Sequence, residues 1–135
     1  MILLIDSAGY NQIHFALINN LKTRARKIKI TYPETEKTLG YLEKFLKTSK
    51  VKLNQIEKII VVSGPGSFTG IRVGVTIGLA FSFAKNIPLY AVEKDRLPED
   101  LSQLEKMKLK KVGADFDPAY GAEPNITIKK KTSIN

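Results

Sequence analysis

A chain of 135 residues with 43% hydrophobic and 26% charged side chains has the size and composition of one folded globular unit, which excludes the fibrous and disordered classes. It contains no cysteine, so disulfides, thiolate zinc sites and thiol nucleophiles are excluded, nothing points to an oxidising compartment, and the cytoplasm is the expected location. The net charge of +9 fits either plain solubility or an acidic partner such as nucleic acid.

The N-terminus enters an apolar run at once and meets Asp6, without the basic start and long apolar core of a signal peptide. Met1 to Asp6 therefore reads as a first strand, bounded by Ser7, Ala8 and Gly9. Gln12 to Ile18 alternates, with Ile13, Phe15 and Leu17 on one side, and predicts a second strand. Ala25 to Thr31 sets Ile28 and Ile30 against Lys27 and Lys29, a third strand whose lysines suit a sheet edge. The period then turns helical. Leu39, Leu42 and Leu46, with Phe45 beside them, share one face. Thr31 and Glu34 fit a capping box, with Thr35 as the alternative cap.

Lys58 to Ser63 holds four consecutive aliphatic residues, as a strand covered on both faces should. Gly64-Pro65-Gly66 must stop it. Gly70 to Lys85 is almost wholly apolar apart from Arg72 and Thr76, which predicts a helix buried between the sheet and something else. It is too short and glycine-rich to span a membrane, which takes about 20 apolar residues. Leu89 to Val92 gives a fifth strand. Beyond Glu93, Asp95 to Leu109 suggests a loop and a helix begun near Pro98, Gly113 to Pro124 is turn-rich, and Ile126 to Ile128 could form a last strand before the basic tail Lys129, Lys130 and Lys131. Met1 to Glu93 holds 13 basic and 6 acidic side chains, against 9 and 7 afterwards. Lys22, Arg24, Arg26, Lys27 and Lys29 form the main cluster, which reads as a solvated face or as a nucleic-acid contact, although no aromatic residues interleave for base stacking.

The stretch Ser63 to Gly74 sits where a buried strand becomes a helix. Its glycines permit positive φ and close approach, and a helix starting at Gly70 leaves amides unpaired, so Gly64, Gly66, Ser67, Thr69 and Gly70 could hold an anion. The plainer alternative is a tight turn with Thr69 as the helix cap. Gly70, Gly74 and Gly78 recur every four residues, a stripe open to another backbone or to the chain's own sheet.

The string Gly-Pro-Gly-Ser-Phe-Thr-Gly-Ile-Arg-Val-Gly closely resembles the signature of the TsaB family, in the actin-like ATPase superfamily. The resemblance covers Met1 to about Val92. It implies an α/β, actin-like (ribonuclease H-like) half-fold of order βββαβαβ, with residues 1–93 as the N-terminal lobe, 94–135 as a reduced C-terminal segment, and the second lobe largely missing. It further implies a non-catalytic partner of a TsaD-like catalytic subunit and a TsaE-like ATPase in making threonylcarbamoyladenosine on tRNA. Contact with tRNA would come only through that complex, and the chain alone could pair with itself. By resemblance the two helices supply the partner interface, through Leu39, Leu42, Leu46, Gly70, Arg72, Gly74 and Gly78.

No cofactor, metal site or catalytic residue is expected. Histidine occurs once, as His14, so no paired-histidine metal site exists of the kind the family's catalytic paralogue uses. Ser67 and Thr69 lack a visible base. The alternative function is a minimal nucleotide phosphohydrolase or phosphotransferase in which Asp6 and the Gly64 to Gly70 loop approach magnesium and phosphate. The plainer role of Asp6 is to cap the turn after the first strand.

Overall fold

In a computed structural model that describes residues 1–31 and 34–113, the opening meander forms as expected. Strand β1 (Ile2–Asp6) is wholly buried, and β2 (Gln12–Asn19) pairs with it antiparallel, Leu4 facing Ala16 and Asp6 facing His14. Strand β3 (Lys22–Lys29) starts three residues earlier than the alternation in Ala25 to Thr31 suggests. Asn20 takes a left-handed φ of 59° at the turn, so β2 runs straight into β3 with every residue paired, Asn19 to Lys22 through Gln12 to Lys29.

The first helix, α1 (Thr38–Thr48), follows a tight turn at Glu34–Lys37, and its cap residue is Lys37 without a side-chain bond. The helix thus begins later than a cap at Thr31 or Thr35 implies. Strand β4 (Lys58–Val62) enters parallel to β1, and α2 (Phe68–Lys85) leads on to β5 (Leu89–Val92), parallel to β4. Helix α2 starts two residues before Gly70 and is capped by Ser67 rather than Thr69, the Ser67 hydroxyl accepting from Gly70 N at 3.1 Å. Ser is well suited to that place, since its oxygen reaches an amide that the helix leaves unpaired.

The segment after Glu93 differs from expectation. It holds two single turns, Lys94–Arg96 and Leu101–Glu105, in place of a longer helix, and then a sixth strand, β6 (Lys110–Val112), antiparallel to β5. The sheet order is β3-β2-β1-β4-β5-β6. Both helices lie on one face: Phe15 stacks on Phe45 of α1 at 5.8 Å, and α2 sits over Ile5, Val61 and Leu89. The turn at Leu101–Glu105 reaches β2 and β3, burying Leu101 and Leu104. Residues 94–112 therefore belong to the same sheet and core as residues 1–93, and the boundary expected at Glu93 does not divide them. The strand expected at Ile126 to Ile128, the turn-rich stretch beyond Gly113 and the lysine tail lie outside the described residues. Among the described residues no helix is long and apolar enough to cross a membrane.

Candidate partner interface and the loop behind it

Two helices on one face leave a question of which side chains they spend inward. On α1, Leu42, Phe45 and Leu46 are buried and Leu39 alone stays 41% exposed. On α2 the glycine stripe turns inward. A methyl group at Gly78 would lie 2.8 Å from Val61 Cγ1, one at Gly74 would overlap Ser7 Oγ, and one at Gly70 would overlap the Ser7 carbonyl. The stripe is the seat of α2 on its own sheet. Of the seven residues expected at an interface, Leu42, Leu46, Gly70, Gly74 and Gly78 are thus internal, because core packing claims the faces on which they recur. Leu39 and Arg72 remain outside.

These two meet in an open groove of about 360 Å³ between the start of α1 and the outer side of α2, lined also by Glu36, Thr69, Val73, Thr76 and Ile77. Arg72 is exposed and lies over the Phe68 ring at 5.5 Å, a cation–π contact that holds it against the helix. No carboxylate among the described residues pairs with it. Further along the same helix Phe83 is 90% exposed. Thr69, Val73, Thr76 and Phe83 are absent from the expected set, although their spacing of three, four and seven marks the side of α2 opposite the glycines.

Behind α2, the loop that could hold an anion is fastened by the chain itself. Gly64 and Gly66 have φ of 121° and 156°, which only glycine adopts readily. Lys94 N donates to Gly64 O at 2.6 Å, Ser67 N to Ala8 O at 2.7 Å, Ser7 Oγ to Gly70 O at 2.6 Å and Tyr10 Oη to Gly66 O at 3.3 Å. The amides of Ser67 and Gly70 are committed within the chain, and Ser67 is a cap, so the loop braces the β4–α2 junction. Thr69 is exposed in the groove.

Asp6 is 2% exposed. Its Oδ1 accepts from Ala8 N at 3.1 Å, capping the turn as the plainer reading has it, and its Oδ2 meets Lys94 Nζ at 2.5 Å. A carboxylate paired in this way is electrically satisfied by a lysine where the phosphohydrolase alternative needs it for magnesium and phosphate. His14, opposite Asp6 in the register, is half-buried, and its Nε2 has no hydrogen-bond partner. Burial holds its pKa below the usual histidine value, against the pull of Asp6, with Lys27 and Lys94 adding to the lowering. Among the described residues no group of three or more His, Cys, Asp or Glu could hold a metal.

Residues 34–94, from the turn before α1 to the end of β5, match the family described as TsaD, tRNA N6-adenosine threonylcarbamoyltransferase. An uncharacterised Mycoplasma pneumoniae protein is 36% identical over 100 residues, covering 70% of this chain and 50% of that one. The tRNA threonylcarbamoyladenosine biosynthesis protein TsaB of Escherichia coli is 31% identical over 91 residues, covering 67% of this chain and 39% of that one. Among relatives that carry a name, the similarity is to the TsaB family. In the solved structures, YeaZ from Pseudomonas aeruginosa superposes with a TM-score of 0.62 at 24% identity, over 68% of this chain and 43% of that one, and this likeness concerns the fold. The fold is the actin-like, ribonuclease H-like half-fold expected, with β6 added to its edge. The chain spans half or less of the length of these two relatives.

Proposed function

We propose that the chain is a non-catalytic partner in synthesis of threonylcarbamoyladenosine on tRNA, docking a TsaD-type catalytic subunit on the groove between α1 and α2. The observation that carries this is the division of α2: its glycines are spent inward on the sheet, while Leu39, Arg72, Val73 and Thr76 line an open, largely apolar recess. Helices present such recesses to partner helices. The names of the relatives, TsaB for the E. coli protein and TsaD for the matching family, support the pathway. A TsaE-type ATPase and self-pairing through the same face belong to this proposal as further partners. The chain's own residues do no bond chemistry in it: Asp6 is neutralised by Lys94, and Ser67 is a helix cap.

The test is association of the full chain with the TsaD-type protein of the same cell, measured by sedimentation. Val73→Asp places a charge in the recess and should weaken association about 10-fold or more, the equivalent of about 1.4 kcal/mol, with an unchanged circular dichroism spectrum. Association at wild-type strength would sink the groove as the docking site, and no association of the wild type would sink the partner role.

A further inference from the structure

Strand β3 is the free edge of the sheet, and its residues from Lys22 to Lys27 are all exposed. An edge strand that carries charge avoids pairing with other chains, which accounts for some of the lysine. It does not account for five cations in eight residues with no carboxylate among them. The register shows where they point. Lys22, Arg24 and Arg26 are paired with Asn19, Leu17 and Phe15, so they stand on the face that Phe15 shares with α1.

There two recesses open along the seam between the sheet edge and α1, the β3–α1 channel. At one end Lys22 and Arg24 line a recess of about 510 Å³ with Ser49 and Val51. At the other Arg26 lines a smaller recess with Lys44 and Tyr41 of α1. Among the described residues, none of Lys22, Arg24, Arg26 and Lys44 has an ion-pair partner. Like charges held together without counter-charges repel, so the arrangement is a cost unless an anion fills it. Residues two apart on a strand recur roughly every 6.8 Å, comparable to the distance between successive phosphates along one polynucleotide strand.

We propose that the β3–α1 channel is a docking track for the phosphate backbone of RNA. The cations are regularly spaced and line recesses, which fits a repeating polyanion that can enter them better than the flat plane of an anionic bilayer. Such contacts carry position and affinity but no base reading. The track does not depend on the groove at α2, since the two lie on different sides of α1, and it can be tested on the free chain.

The experiment is fluorescence anisotropy of a labelled tRNA transcript with the full chain, at salt from about 50 to about 200 mM. Four phosphate contacts give a slope of about −3.6 in log affinity against log salt, a loss of about 150-fold over that range. Arg24→Gln with Arg26→Gln should bring the slope to about −1.8 and the loss to about 12-fold. Lys22→Gln with Lys44→Gln should do the same and covers the case of a poorly folded first variant. Lys106→Gln with Lys108→Gln removes equal charge elsewhere and should leave the slope unchanged. The proposal is overturned if the wild type shows no salt-dependent binding, if the control pair lowers the slope as much as the channel pairs, or if the channel pairs reduce binding to phosphatidylserine vesicles and leave tRNA binding intact.

Discussion

His14 is the only histidine, and the cross-strand register sets it beside Asp6 and Lys27. Its folded pKa is lowered chiefly by burial, so the unfolded chain binds a proton more readily than the folded one. Stability from this group is therefore fully present above the unfolded value near 6.5 and declines as pH falls through the lower folded value. Urea midpoints should drop between about pH 7 and about pH 5 for the wild type, and His14→Gln should flatten that drop. An equal drop in the variant would assign it to other groups. The same end of the sheet shows what single residues disclose in sequence. Asp6 was legible as a turn-capping residue or a phosphate-site residue, and the side chain that separates these, Lys94, lies 88 positions away.

At the scale of elements, glycine spacing in α2 states that a close approach occurs without stating to what. The sheet and an external helix make the same demand on sequence. The inward choice leads to a contrast between two helices. Gly40 on α1 has open space around it, whereas a methyl at Gly78 would press on Val61 and Leu89. Gly40→Ala should raise stability by about 0.5–1 kcal/mol through helix propensity. Gly78→Ala gains the same propensity but overpacks the core, costing about 1–3 kcal/mol. Thermal midpoints that move in opposite directions would bear this out, and a rise in both would place the stripe away from the sheet. Other elements differ in legibility for similar reasons. Strands β1, β4 and β5 are plain in the sequence as short, mainly apolar runs. The sequence pattern starts β3 late because Lys22 to Arg26 is exposed on both faces and has no apolar alternation. The leucines at 97, 101, 104 and 109 mimic helical spacing, yet they belong to a crossing segment whose turn inserts Leu101 and Leu104 into the core.

For the whole molecule, the half-fold was legible from strand order and one motif, while its completion by residues 94–112 was not, because β6 is three residues long and weakly apolar. The proposed interface was half legible. Arg72 and Leu39 were in the expected set, but the outer row of Thr69, Val73 and Thr76 emerges only once the glycines are seen to face inward. The central claim is that this outer face of α2 receives a TsaD-type partner, and amide hydrogen exchange with and without that partner tests it most directly. The account predicts added protection in the first turns of α2 and at the start of α1 around Leu39, with β3 unchanged. Protection confined to β3 or to the Leu101–Glu105 turn, with α2 exchanging as in the free chain, would contradict it.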